Sequence, residues 1–515
     1  MTSAAVSPRY GGTLRVEMHA ASVSLDPREW QAGSFEAAAD EKLAALEFER
    51  LVSLDNYGRI QPELATGWSH DASNRRWQFT IRSGVKFSDG ADLTAEDVVA
   101  ALRPMLPETQ QISATSPDEV VVQSSIAVPE LLEQLASSRY FVYRAQPSGG
   151  LVGTGPFILA ETPAVPGQSG EKSSAAPRSE VTDGTLSNGA YAHLFFRANE
   201  AAWSGRPFVD AIDVALGVPP LRAMFDLQLG KTDLIELSPE LVPRAKQANL
   251  RVWTSEPLVL YGLRFDEAQS AASDVRLREA LSLALDRGSM ANVLLQKQAE
   301  PAAALLPQWL SGYAFLFTVD SNLEHAKELR RALSANEAAG AEPLRLRVDS
   351  PSGLAKLLGE RVAVNARQAG ILVQVLNRPA ARAGAASSAT PAGAHLFAWH
   401  YSSLSSRAEL DSMFAAYNLR EPSEAIATST DHQQLYERER QILDQWRVLP
   451  LVTEAESAGL GPTVRDWMPG RWGEWRLSDV WLEPPEPGAA DASSSTGAGG
   501  PSSSQRSAVV PGAKP

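Results

Sequence analysis

The feature that most constrains this chain is the stretch from Phe48 to Leu102, where several local rules act in a set order. Asp55-Asn56-Tyr57-Gly58 marks a turn between an apolar run and Ile60-Gln61-Pro62. Residues 76–82, from Arg76 to Arg82, alternate polar and apolar with the period of a half-buried strand. Ser88-Asp89-Gly90 then reverses the chain. Thr94, followed by Glu96 and Asp97, caps a helix whose first turn carries negative charge where the helix dipole favours it. The string reads as strand, turn and helix, and no catalytic group is arranged along it.

The rest of the chain mixes the same elements. Residues 221–229 are apolar at helical spacing and end at Gly230, a C-terminal cap. Leu258 to Phe265 alternates as a strand. Asp274 caps a helix in which Val275, Leu277, Leu281 and Leu285 line a buried face while Arg276, Arg278 and Glu279 stay wet. Strands at 344–348 and 371–376 flank a helix containing Leu354 to Ala369. This alternation implies an α/β fold. Three stretches break the pattern: 161–189, 378–393 and the Ser/Gly/Pro-rich tail from Pro484, which is expected to be disordered over 486–515. None of them could bury enough apolar area to offset the entropy of ordering it.

Further motifs follow in one order down the chain. They are Gly11-Gly12-Thr13-Leu14-Arg15-Val16, Ser24-Leu25-Asp26-Pro27, Gly153-Thr154-Gly155-Pro156-Phe157, Arg197-Ala198-Asn199-Glu200 with Trp203, Leu229-Gly230-Lys231-Thr232-Asp233, and the helix from Asp274 to Arg287. With the string at 48–102, this series resembles the extracytoplasmic solute-binding proteins of family 5, the dipeptide, oligopeptide and nickel-type receptors of ABC importers. The resemblance implies a type II periplasmic-binding-protein-like α/β fold with two lobes joined by hinge crossings and an inserted third domain. Carried onto this chain, lobe I is built from 9–40, 150–256 and 449–485, the inserted domain from 41–149 and lobe II from 257–448. The crossings then lie near Pro257 and Pro450. The implied function is capture of a peptide-like or other small organic ligand between the lobes, and its delivery to a membrane permease. The alternative is a sensor, scaffold or degenerate paralogue on the same fold.

Composition limits the partners. The formal net charge of −14, with acids and bases interspersed, disfavours a nucleic-acid partner. The 515 residues include no cysteine, which removes disulfides, thiolate metal sites, cysteine nucleophiles and a lipidation site. No apolar run reaches the ~18 residues of a membrane span, and no signal peptide is recognisable in this chain. The resemblance implies a periplasmic or otherwise extracytoplasmic monomer whose export signal was removed or lies upstream.

Enzymatic motifs fail on spacing. Gly230-Lys231-Thr232 has the tail of a phosphate-binding loop, but the earlier glycine is replaced by Phe225. His395 and His400 fall on opposite faces of a strand and could not share a metal. No enzyme activity, cofactor or metal is therefore expected.

In the peptide-binding branch of the family a Trp is followed three residues later by an Asp that neutralises the ligand's amino terminus. The matching segment here is Trp399-His400-Tyr401-Ser402, with a hydroxyl in place of the carboxylate. The histidine of the nickel-type branch would fall near Ser405 and Ser406, and none is there. Free peptides and nickel chelates are both disfavoured by these departures. The remaining ligand-binding candidates are Trp30 and Phe35, after the first loop, Tyr261 and Arg264 on the strand entering the second lobe, Trp399, His400, Tyr401 and Ser402, and Trp472 beside Trp467 and Trp475. Aromatic faces with few fixed charges suit a neutral or weakly polar ligand, and Arg264 is the cation suited to an acidic one.

Overall fold

The computed structural model describes residues 7–31, 33–34, 37–147, 149–160, 191–266, 270–318, 320–334, 343–350, 352–377, 391–419 and 431–484. The stretch at 161–189 lies outside these residues, as do nearly all of 378–393 and of the tail from Pro484.

One eleven-stranded sheet runs through the molecule. Its order is Phe157–Ala160, Ala192–Ala198, Ala211–Leu216, Thr13–Glu17, Leu234–Leu237, Val448–Leu460, Arg251–Phe265, Ala394–His400, Leu344–Val348 and Val373–Asn377, with Ala299–Pro301 paired onto Val448–Leu460. The two longest strands, Arg251–Phe265 and Val448–Leu460, are antiparallel neighbours and serve both halves of this sheet. At one end Ser457 to Leu460 pairs with Leu234–Leu237 and with Arg251 to Thr254. At the other, Val259 to Phe265 pairs with Ala394–His400. Between these ends the ladder slips on both sides of Pro257. Proline offers no N–H, so regular pairing cannot continue through it.

A second sheet is four-stranded and antiparallel, in the order Ala65–His70, Arg76–Ile81, Glu119–Ser124, Gln110–Ser116. Its alternation is that expected from sequence, with Trp77, Phe79 and Ile81 buried. The helix Ala95–Leu102 packs beside it behind a complete capping box: the Thr94 side chain accepts from the Asp97 N–H, and the Asp97 carboxylate accepts from the Thr94 N–H. A single apolar cluster runs from Leu14 and Val16 in the large sheet through Leu43, Leu46 and Phe48 to Trp77 and Phe79. Residues 41–149 therefore share a core with the first strands. Gly153 belongs at this junction because a Cβ there would lie 1.9 Å from the Glu47 carbonyl oxygen.

The second half has its own cores. The helix Gly353–Gln368 buries Ala355, Leu358, Val362 and Ala366 against the strands Leu344–Val348 and Ala394–His400. The helix Val275–Ala284 begins at Asp274 as expected, but its wet and buried faces differ from the reading above. Val275 is 45% exposed, whereas Arg278 is 5% exposed. Arg278 is tolerated inside because its guanidinium donates to the carbonyls of Ala272, Ser273 and Gln445.

Candidate functional site

The helix Ala37–Ala44 and the turn after it place Ala38, Glu41, Lys42 and Ala45 on one face, because these positions recur at the helical spacing of three and four. That face forms one wall of a cavity. The facing wall is Leu258, Trp309 and the stretch His400 to Leu404, and the segment Trp472 to Trp475 closes a third side. Residues far apart in the chain thus meet where the two long strands pass between the halves. The enclosed space is about 50 Å³, enough for a few water molecules.

The walls carry more fixed charge than the aromatic candidates implied. Lys42 Nζ lies 2.9 Å from Glu456 Oε2 and 3.4 Å from Glu236 Oε1. His400 Nε2 lies 3.3 Å from Glu456 Oε1, at ion-pair distance but without hydrogen-bond alignment. Arg50 pairs with Glu474 and Glu63 and donates to the Ala136 carbonyl at 2.7 Å. Burial alone would raise the Glu456 carboxyl, but Lys42 and His400 outweigh it and hold the group down to about 2. Burial likewise opposes charge on His400, and Glu456 and Glu41 reverse the effect so that its pKa is raised. Two residues along the strand from Glu456, Glu454 beside Tyr261 has no such cation and burial pushes it up to about 8. Glu41 is pushed up to about 7, chiefly by burial.

The carboxylate missing at Ser402 has a counterpart in Glu409. This buried side chain accepts from Trp399 Nε1 at 2.9 Å and from the backbone N–H groups of Ser402 and Ser403 at 2.8 and 2.7 Å. It braces the turn after the strand. Trp399 itself is 1% exposed, with its ring against Gly33. Gly33 has φ +68°, and a Cβ there would sit 2.2 Å from that ring. The His400 N–H donates to the Gly33 carbonyl at 3.0 Å, and Ser34 forms an antiparallel bridge with Trp399. The chain's first loop thereby ties the end of the strand Ala394–His400 to the other half.

The sequence candidates divide among four places. His400, Tyr401, Ser402 and Trp472 line the cavity. Tyr401 is also anchored, its hydroxyl donating to the Leu305 carbonyl and its ring edge-on to Trp309. Trp472 packs against Trp309 in a tilted pair with centroids 4.9 Å apart, and its Nε1 has no hydrogen-bond partner among the described residues. Arg264 and Trp399 line a second hollow with Asp349 and Tyr417, and Arg264 is paired with Asp349 at 3.3 Å. Tyr261 is in the apolar core of the second half, its hydroxyl 3.4 Å from Ser352 Oγ. Trp30 packs edge-on to Phe141 and donates to the Ser24 carbonyl, while Phe35 lies outside the described residues. Sequence reasoning missed Glu41, Lys42, Arg50, Trp309 and Glu456. A signal existed for the last, since Glu454 and Glu456 stand in a strand whose first five residues, Val448 to Val452, are all apolar. None existed for Glu41 and Lys42, which look like the solvated face of a short helix. Among the described residues no group of three or more His, Asp or Glu side chains could hold a metal ion.

Comparison with known proteins places this architecture. The model of the bacterial extracellular solute-binding proteins, family 5, matches residues 59–172 and 184–419. The chain belongs to that family, whose members are binding proteins rather than enzymes. The nickel-binding periplasmic protein of Escherichia coli is 24% identical over 368 residues, 64% of this chain and 65% of that protein. The match thus spans slightly less than two thirds of that relative's length. Among solved structures, NikA from Brucella suis in complex with Fe(III)-EDTA superposes with TM-score 0.72 at 20% identity, covering 92% of this chain and 100% of the other. The periplasmic binding protein DppA from Helicobacter pylori in complex with the peptide STSA gives TM-score 0.71 at 14% identity, covering 92% and 99%. The fold is the type II periplasmic-binding-protein fold of these structures.

Proposed function

We propose that the protein is an extracytoplasmic solute receptor of an ABC importer, a monomer that closes on a small organic ligand and presents it to membrane permease subunits. The observation that carries this reading is the cavity itself. It is walled by the helix Ala37–Ala44, the turn at His400–Leu404 and the segment Trp472–Trp475, and lies beside the two strands that join the halves. In this reading 9–40, 150–256 and 449–485 form lobe I, 41–149 is inserted into it and 257–448 forms lobe II. The slips in pairing around Pro257 supply a place for bending. A ligand that touches both walls binds the closed state better than the open one and shifts the equilibrium by that difference. His400, Tyr401, Ser402 and Trp472 are its contacts, and Arg264 and Trp399 act at the second hollow.

The test is a thermal-shift screen of peptides, sugars and metabolites, followed by small-angle scattering with each hit. A ligand of the native state raises the melting temperature by mass action and should reduce the radius of gyration. Its binding should be lost in Trp472→Ala. A hit that raises the melting temperature equally in Trp472→Ala and leaves the scattering unchanged would sink this reading.

A further inference from the structure

Within the cavity one charged group is uncommitted. Lys42 is held by Glu236 and Glu456, Arg50 by Glu474 and Glu63, and His400 faces Glu456. The Glu41 carboxylate lines the same space and makes no hydrogen bond or ion pair with any described residue. A half-buried carboxylate without a partner is costly, and a protein retains one where something else completes it. Beside it stand the tilted, contacting rings of Trp309 and Trp472, and the Trp472 Nε1 has no hydrogen-bond partner among the described residues. Aromatic faces next to a free carboxylate are the surroundings that suit an organic cation, through charge pairing and cation–π attraction together.

We propose that the ligand carries an ammonium or guanidinium group that pairs with Glu41, while its organic part rests on Trp309 and Trp472. The proposal rests on the reading of this cavity as the ligand site and names the class of ligand it takes. It replaces the neutral ligand expected from the aromatic residues alone. Position 402 is not the anchor, because the nearest carboxylate to that backbone, Glu409, has both oxygens engaged by Trp399, Ser402 and Ser403. The anchor is on the opposite wall.

The surroundings of Glu41 also set a pH dependence. Asp40 on its own helix, Glu409 and Glu456 disfavour its charge together with burial, and His400 on the facing strand favours it. With the group at about 7, the carboxylate is charged above that pH and protonated below it. Cation binding should therefore weaken as pH falls from 8 to 6 in the range set by that value, and binding near neutrality should release protons.

The experiment is calorimetric titration of the protein at about one pH unit above the Glu41 value with agmatine, isoamylamine and choline. Isoamyl alcohol and isovalerate serve as neutral and anionic matches. At least one cation should bind, the matched alcohol and acid should not, and Glu41→Gln should weaken the cation by about tenfold or more. Glu41→Asp, which keeps the charge on a shorter arm, should fall between. No heat from any of the three cations at millimolar concentration, or equal affinity in wild type and Glu41→Gln, overturns the proposal. If isovalerate or isoamyl alcohol binds instead and Trp472→Ala abolishes it, the cavity remains the ligand site and only its charge preference has been misread.

Discussion

In the four-stranded sheet the buried face is Trp77, Phe79, Ile81, Ile112, Val120 and Val122. Its buried amides are closed on one another and on a hydroxyl: Gln110 donates to Gln134 at 3.1 Å, and Gln134 to the Tyr140 hydroxyl at 2.8 Å. Trp77 Nε1 is left over. Around the cavity, by contrast, His400 Nε2, Glu456 Oε2 and Trp472 Nε1 all lack a hydrogen bond among the described residues, and the first two depend on ion-pair contact instead. Each buried polar atom left unsatisfied costs about 1–3 kcal/mol. The first region is organised for stability. The second gives up part of its stability to bury polar groups that are not fully paired.

Mutation should expose that division. The largest loss is expected from Phe79→Ala, which empties a fully buried site in the sheet and should cost about 3–5 kcal/mol in denaturant unfolding. Ligand binding by the folded fraction should be unchanged. Next is Lys42→Met at the cavity wall. It keeps the volume but leaves Glu456 and Glu236 facing each other without the cation at 2.9 and 3.4 Å, and should cost about 3 kcal/mol. If Lys42→Met is as stable as wild type, the buried charges are better solvated than this comparison holds. Gly33→Ala should cost about 1–3 kcal/mol, since the new Cβ meets the Trp399 ring and φ is +68°. Hydrogen exchange at the His400 amide should quicken in that variant, because the bridge to the first loop is lost.

The smallest effect, that of Glu454→Gln in acid, belongs to one of two acids on the same strand that titrate in opposite senses. Glu456, held at about 2 against an ordinary 4.5, adds stability that is present above 4.5 and lost as pH falls towards 2. Glu454, at about 8, behaves oppositely: its contribution is complete below 4.5 and lost as pH rises through 8. Glu454→Gln, which mimics the protonated acid, should change stability by under about 1 kcal/mol at pH below 4.5. It should also remove the decline towards alkaline pH, read as a flatter profile of melting temperature against pH.

Local rules made the sheet region legible. The alternation at Arg76–Ile81, the Thr94 cap, the Asp274 cap and the strand from Leu258 to Phe265 all follow from neighbours in the chain, although that strand begins earlier, at Arg251. The same rules misplaced Arg278, because they count a guanidinium as wet and cannot foresee that three carbonyls, one from Gln445, will surround it. The cavity was half legible. His400, Tyr401, Ser402 and Trp472 were found through a motif and through aromatic clustering. Glu41 and Lys42 were not, since their role depends on strands more than 190 residues away, as in the Lys42 to Glu236 contact separated by 194 positions. Arg264 gave a cation by type, but Asp349 neutralises it in space.

The tilted indole pair of Trp309 and Trp472 has an optical consequence. Trp309 is tethered by its Nε1 to the Pro257 carbonyl at 2.8 Å, on one side of the cavity, and Trp472 belongs to the segment that closes another. With centroids 4.9 Å apart and planes inclined at 43°, their transition dipoles are coupled and skewed, the arrangement that produces paired bands of opposite sign in circular dichroism. Parting the walls would uncouple the rings and remove their share of the signal, as would Trp309→Phe in any state, leaving the share of the Trp253–Trp467 pair, whose centroids lie 5.6 Å apart. A chain with no cysteine to label thus carries its own reporter of opening.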